Sequence, residues 1–476
     1  MLTLSLYSYN LKKNLLFSHD TARDTARLLE IWQKKELTLI GPPVSFGQLG
    51  NRQVFFSSLA MYIGLVGLVL SGFSVIGPIL PNIFFLIVSV PFFYLLLKEL
   101  GFSKRLSLIT ALLYVLSPVT VTYVRFFWNP NLIVPFSVFF WYFILKKYST
   151  VKKQVGGFFL AGLIGGLIVN LHYFSMFPII FYLVFLLFQK KSRLVLFFTA
   201  GLIIGCLPLI FFELKHHFYL TSSLFFNLKQ ASQSQTTFTF HIENFFDAFY
   251  TVVGLKPTEI INRVIQIKLR WFFGVFSLIL SYLILSSLKQ AGRRIILVLV
   301  IFFTIVITIK LTGGLVFQIH YLFPIYPLLI WYIGLLLSSV KQYFFYLVLL
   351  IPILIADFYI LTDSQSLKRD YLSVAKIEAI TRTIIKDRPV SPYNISENIG
   401  GGAQAIPFRF FLNRDATIKP NNIQSYTNLN TLYVVSPSLA LTKKENRWEF
   451  YATANLTLTK TVDFGEVKLF KFEAGR

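Results

Sequence analysis

The sequence predicts an α-helical polytopic membrane protein with about ten spans, outer interfacial helices and a small C-terminal α+β soluble domain. Three observations predict it. Hydrophobic residues make up 55% of the 476-residue chain and charged residues only 14%, against about 25% charged in a soluble domain. Apolar runs of roughly spanning length recur along the first three quarters of the chain. The loops between them alternate between basic and nearly uncharged.

The apolar runs lie near 80–97, 105–123, 130–145, 156–171, 174–188, 194–212, 271–288, 295–311, 319–337 and 343–361. Pro118, Pro135, Pro208, Pro324 and Pro327 fall within them, as membrane helices tolerate. Lys98, Lys104 and Arg105 form one basic loop, and Lys146, Lys147, Lys152 and Lys153 another. Lys190, Lys191 and Arg193, then Lys289, Arg293 and Arg294, then Lys341 follow. The intervening short loops at 124–131, 171–175 and 312–319 hold only Arg125, with Lys310 at the border of the last. The positive-inside rule puts the basic loops in the cytoplasm. Segments 15–54, 213–270 and 363–476 then lie outside. A further apolar run, 55–75, conflicts with this alternation if it spans. It reads as an interfacial or re-entrant helical segment on the outer side.

Two units follow: a membrane part, 1–362, with outer loops 15–54 and 213–270, and an extracytoplasmic C-terminal domain, 363–476. In the latter, a helix is expected over 370–387 and strands at TLYVV and EVKLFKF. GGGAQ at 400–404 reads as a flexible turn without a strand–helix frame, and so as a weak phosphate loop. The net charge of +24 reads as topology signal and headgroup contact, not nucleic-acid binding. A single cysteine, Cys206, excludes internal disulfides and cysteine-rich zinc sites.

Chemistry-bearing residues gather on the outer side. In HDTARDTARLLEIW, His19 to Trp32, a helix sets Asp20 and Asp24 on one face at i and i+4, with Arg23 and Arg27 beside them. Two such carboxylates can hold a divalent cation or a general base, or simply belong to a charge-balanced surface helix. In Tyr123–Asn131, Arg125 can pair with an acid or phosphate, and Asn129 and Asn131 offer amides to hydroxyl-rich ligands; a headgroup belt is the plainer reading. Glu213, Lys215, His216 and His217 sit at an outer helix end, where Glu213 and a histidine could join a metal site, Lys215 could meet a phosphate, or the group could snorkel. His172 and His320 each occupy an outer helix end and precede a tyrosine.

Taken in order, these residues resemble a family. His19–Asp24 followed by Leu39–Pro43 resembles the first outer loop of GT-C superfamily glycosyltransferases, the membrane enzymes related to protein O-mannosyltransferases and aminoarabinose transferases. Lys98–Arg105, Ala111–Pro118, Arg125–Asn131, Leu171–Tyr173, Phe212–His216 and His320–Pro324 match further family segments, and Ala405–Leu412 is similar to the tail of some bacterial members. The resemblance implies transfer of a hexosyl or pentosyl group, with inversion, from a polyprenyl-phosphate donor to a lipid, glycan or protein acceptor on the outer face of the plasma membrane. It implies Asp20 as the catalytic acid residue with Asp24 beside it, and Arg125, Asn129, Asn131, Lys215, His216, His172 and His320 as substrate contacts. It also implies a divalent cation, Mg or Mn, at Asp20 and Glu213, in a site poorer in charge than in relatives with an acid where this chain has Asn129 and Asn131. The competing class is a transporter or flippase of lipid-linked sugars, which calls for polar groups at mid-span and an internal repeat. The span centres are mainly apolar and no repeat is evident.

Overall fold

The computed structural model describes residues 2–12, 14–15, 17–43, 53–233, 296–301, 303–305, 319–338, 353–354, 357, 361, 372–399, 404–439 and 456–475. A short helix, α1 (Leu2–Ser8), precedes the amphipathic α2 (His19–Lys34). A small hairpin, β1 (Ile40–Pro43) with β2 (Phe55–Ser57), leads into α3 (Leu59–Leu70). Twelve residues of helix rise about 18 Å, too little to cross a hydrocarbon core. Within the run 55–75, the helix is thus shorter than a full span.

The membrane bundle begins with α4 (Leu80–Glu99), α5 (Lys104–Leu116) and α6 (Pro118–Val124), then α7 (Ile133–Leu145) and α8 (Val151–Leu171). After them come α9 (Met176–Phe188), α10 (Ser192–Gly205), α11 (Leu207–Lys215) and α12 (Tyr219–Gln233). Among the described residues, Gly77–Glu99 and Val151–Leu171 are long and apolar enough to span on their own. Two expected spans are instead bent pairs. The run 105–123 breaks by 47° between α5 and α6, and 194–212 breaks by 64° between α10 and α11. Each break precedes a proline, Pro118 or Pro208, whose missing N–H falls in the first turn of the second helix, where no intrahelical bond is lost. Asn129–Leu145, Tyr173–Phe188 and His320–Leu335 are shorter apolar helices. The expected span 271–288 and most of 343–361 lie outside the described residues, as does 234–270.

The tightest seam joins α8 to α10. Gly162 and Gly166 face Gly201 and Gly205, each pair one helical turn apart. A Cβ on Gly162 would stand 2.0 Å from the Phe198 carbonyl oxygen, and one on Gly201 2.1 Å from that of Phe159. The obstacles are backbone atoms, so only glycine allows the approach. Asn170 closes one end of the seam, its amide donating to the carbonyls of Gly166 (2.7 Å) and Gly205 (2.8 Å).

The C-terminal unit is α+β. Its four-stranded sheet has the order β3-β4-β6-β5, from β3 (Tyr393–Glu397), β4 (Thr431–Ser436), β5 (Thr457–Asp463) and β6 (Lys468–Glu473). β3 runs parallel to β4, and the other pairings are antiparallel. A helix at Val374–Lys386 occupies most of the predicted 370–387 stretch, and the TLYVV and KLFKF runs form β4 and β6. Residues 400–404, expected to lack a strand–helix frame, do lie between β3 and the helix Ile406–Asp415, although Gly400–Ala403 are outside the described residues.

Arg409 is the hub of this unit. Its guanidinium donates to the carbonyls of Gln404 (2.7 Å) and Asn421 (2.8 Å) and to the Tyr426 hydroxyl (2.9 Å), and also to Asn394 Oδ1. Asn394 is thereby buried and occupied. The helix Ile406–Asp415 packs on α2, with Phe17 set edge-on to Phe410 and Phe411 at 5.6 and 5.9 Å. One apolar core therefore runs through α2, the bundle and the C-terminal unit.

Replacing Gly162 or Gly201 by valine should force α8 and α10 apart and cost about 1–3 kcal/mol or more. Thermal unfolding in detergent checks this. Gly156→Ala, whose added Cβ meets only open space, should leave the melting temperature unchanged.

Candidate functional site

The amphipathic helix α2 supplies the first group. Ser18 opens it, with its hydroxyl at the Thr21 amide. One turn then sets Asp20, Arg23 and Asp24 side by side, as their spacing predicts. Arg23 bridges the two acids, Nη1 to Asp20 Oδ1 at 3.0 Å and Nη2 to Asp24 Oδ1 at 2.7 Å. The two carboxylates differ in environment. Asp20 is 57% exposed, while Asp24 is 1% exposed. Burial pushes the Asp24 carboxyl up to about 7 despite the opposing pull of Arg23, and the Asp20 charge pushes the same way. Arg27 pairs with Glu30 instead of extending the bridge.

The second group closes the same end of the bundle. The short helical turns Asn129–Leu132, Tyr173–Ser175 and Ile319–Ile325 meet there. They bring the His172 and His320 rings within 5.0 Å, with Trp128 at 4.6 Å from His320 and Tyr321 at 5.5 Å from His172. His172 Nδ1 accepts from the Phe174 amide at 3.3 Å, and burial pushes its imidazole down to about 3. It is a neutral, oriented ring. His320 Nδ1 and both side-chain polar atoms of Asn129 are buried without a partner among the described residues. Unpaired buried polar atoms beside aromatic faces are what a hydroxyl-rich ligand would satisfy. Trp128 and Tyr321 were not among the expected site residues; the signal for Tyr321 was its place directly after His320.

Other candidates have structural partners. Arg125 is buried, and its guanidinium donates to the carbonyls of Tyr7 (2.9 Å) and Tyr9 (2.8 Å). It caps α1 and is not free to pair bidentately with a phosphate. Asn131 Nδ2 donates to the Phe126 carbonyl at 2.7 Å. Glu213 caps α12, accepting from the amides of Leu220 (2.8 Å) and Thr221 (3.0 Å). Lys215 and His216 are exposed at the end of α11, and His216 stacks on Phe212 at 4.3 Å.

The expected cation site at Asp20 and Glu213 does not fit. Asp20 faces the Arg23 cation, and both Glu213 oxygens are used by backbone amides. Among the described residues, no three His, Cys, Asp or Glu side chains form a metal cluster.

Residues 58–213, from just before α3 to near the end of α11, match the protein family described as dolichyl-phosphate-mannose-protein mannosyltransferase. The whole fold aligns with ArnT from Cupriavidus metallidurans bound to undecaprenyl phosphate, with a TM-score of 0.65, 11% identity, and coverage of 100% of this chain and 98% of that one. The chain has the ArnT fold. The apo state of the same ArnT aligns with a TM-score of 0.58, again at 11% identity and over 100% of this chain and 98% of that one. No curated protein matches the sequence. The predicted resemblance to the GT-C glycosyltransferases and the helical fold with its C-terminal mixed sheet are borne out.

Two measurements separate chemistry from scaffold. The folded Asp24 carboxyl titrates at about 7, above an unfolded value of about 4. Between those values the folded protein binds more protons, so stability should fall as pH rises from about 4 to about 7. Asp24→Asn should lose that part of the slope in melting curves recorded across the range. Arg125→Ala leaves buried carbonyls unpaired and should cost about 2–4 kcal/mol, read by thermal unfolding, while donor lipid binds the folded fraction as before.

Proposed function

We propose that this protein moves a hexosyl or pentosyl group from a polyprenyl-phosphate carrier to an acceptor hydroxyl at the outer face of the plasma membrane. The observation that carries the reading is Asp20, an exposed carboxylate braced by Arg23 on the first outer helix of a GT-C fold. The relative bound to undecaprenyl phosphate supports the donor class, and the mannosyltransferase family match supports the reaction class.

Asp20 takes the proton of the acceptor hydroxyl. The freed oxygen attacks the anomeric carbon as the bond to the carrier phosphate breaks, and the configuration inverts. Asp20 is suited to this because it is solvent-accessible and held in place by Arg23. Asp24 holds the other edge of Arg23. Departure leaves charge on the carrier phosphate, which calls for cations near it. Lys215 and His216, exposed at the end of α11, are the candidates. Asn129, His172 and His320, with the faces of Trp128 and Tyr321, form the sugar pocket. On this reading the basic loops face the cytoplasm, and the C-terminal unit lies outside with the site.

Asp20→Asn should lower transfer from a labelled polyprenyl-phosphate sugar by about 10²–10⁴-fold, with unchanged insertion and melting temperature. Full transfer in this variant overturns the reading. Lipid translocation without sugar transfer favours a transporter.

A further inference from the structure

The last expected span, 343–361, carries a single charged residue, Asp357. Asp357 is helical and only 3% exposed. Neither of its carboxylate oxygens has a hydrogen-bond partner among the described residues, and no cation among them pairs with it. A carboxylate left bare in a membrane helix is costly. Such a residue marks an ion or ligand site when other polar groups converge on it.

Two buried tyrosine hydroxyls feel the Asp357 charge, those of Tyr7 in α1 and of Tyr326, which opens the helix Tyr326–Ser338. Both lead to the break between α5 and α6. Tyr7 Oη donates to the Val115 carbonyl at 2.7 Å. Tyr326 Oη shares a hydrogen bond with Thr120 Oγ1 at 3.0 Å and another with the Ser117 side chain. Because α5 stops at Leu116, the carbonyls of its last turn have no intrahelical donor, and the negative end of its dipole lies there. Arg125 is committed to the Tyr7 and Tyr9 carbonyls. The polar atoms of the cluster are thus a carboxylate, hydroxyls and helix-end carbonyls, all oxygen. That set suits a hard cation, not a transition metal. One negative charge balances a monovalent ion, whereas a divalent ion would leave a buried positive charge. Broken membrane helices bind Na+ through carbonyl ends of this kind.

We infer that Asp357, the Tyr7 and Tyr326 hydroxyls and the end of α5 hold one monovalent cation, Na+ or K+. The ion ties α1 and the α5–α6 break to the last expected span. α6 leads on to Trp128 and Asn129, and Tyr326 directly follows the turn that carries His320. A bound ion therefore fixes two walls of the sugar pocket without touching its contents. The inference holds whatever reaction the outer site performs.

The test records thermal unfolding of the full-length protein in detergent at constant ionic strength, with NaCl or KCl replacing N-methyl-D-glucamine chloride stepwise. Wild type should show a saturable rise in melting temperature with at least one of the two ions, and the more effective one identifies the occupant. Radioactive sodium, or rubidium in place of potassium, should bind to wild type at about one ion per chain. Asp357→Asn has no charge to balance, so it should lose the saturable rise and about tenfold or more in ion affinity. In N-methyl-D-glucamine chloride it should melt no lower than wild type. Tyr326→Phe keeps the carboxylate and the ring and should weaken ion binding about fivefold. A melting temperature that ignores which cation is present, or a saturable rise retained by Asp357→Asn, overturns the inference. So does wild type that binds no ion, which means that Asp357 is simply protonated. If Asp357→Asn fails to fold, Tyr326→Phe decides, and unchanged ion affinity in that variant overturns the inference.

Discussion

The backbone contact between α8 and α10 is the constraint on which the candidate site depends. Four glycines let carbonyl oxygens of one helix reach the other at distances that any side chain would block. In a membrane there is no hydrophobic gain in bringing two apolar helices together, so close packing and interhelical hydrogen bonds carry the association. Asn170 adds such a bond at the end of the seam. The next residues after α8 are His172 and Tyr173, and the continuation of α10 is α11 with Glu213 and His216. Fixing the two helices thus fixes two histidine-bearing ends relative to one another. Tyr173 transmits the position further, donating to the Phe55 carbonyl of the hairpin that follows α2.

The acidic pair on α2 shows how one turn of helix makes two different carboxylates. Asp20 and Asp24 share Arg23, yet one lies in solvent and the other in the core. Burial favours the protonated form of Asp24, and the arginine opposes it. The outcome is a buried carboxyl pushed up to about 7 that braces Arg23, beside an exposed carboxylate on the other edge of the same arginine. A symmetric pair of exposed acids would gain little from Arg23 beyond a screened surface bridge.

The C-terminal unit is part of the site's frame. Phe410 and Phe411 bury Phe17 just before α2, and Arg414 donates to the Phe73 carbonyl at 3.2 Å. Arg409 then ties its own helix to β3 and to the loop from Lys419. The face of α2 that looks away from the bundle is in this way roofed by a rigid wall, and a polar cleft remains between them. An amphipathic helix with one face on α3 and another on the cleft accounts for the alternation of buried Asp24, Leu28 and Ile31 with Arg23, Arg27 and Glu30.

The sequence by itself determined the membrane class, the limits of most apolar helices in the described residues, the α+β character of the tail and the pairing of Asp20 with Asp24. These depend on local period: spanning length, alternation in strands, and neighbours three or four residues apart on a helix. Pro118 and Pro208 were legible too, but their consequence, a bent pair in place of a span, depends on how each half is packed. Tertiary structure alone decided that Arg125 holds the end of α1, 118 residues away from the carbonyl of Tyr7 that it binds. It alone decided that Glu213 caps a helix rather than holding a cation, and that His172 and His320 touch. Whether a charged or polar side chain is spent on backbone or left for a ligand depends on which distant main-chain groups packing leaves beside it. Spacing along the chain carries no information about that.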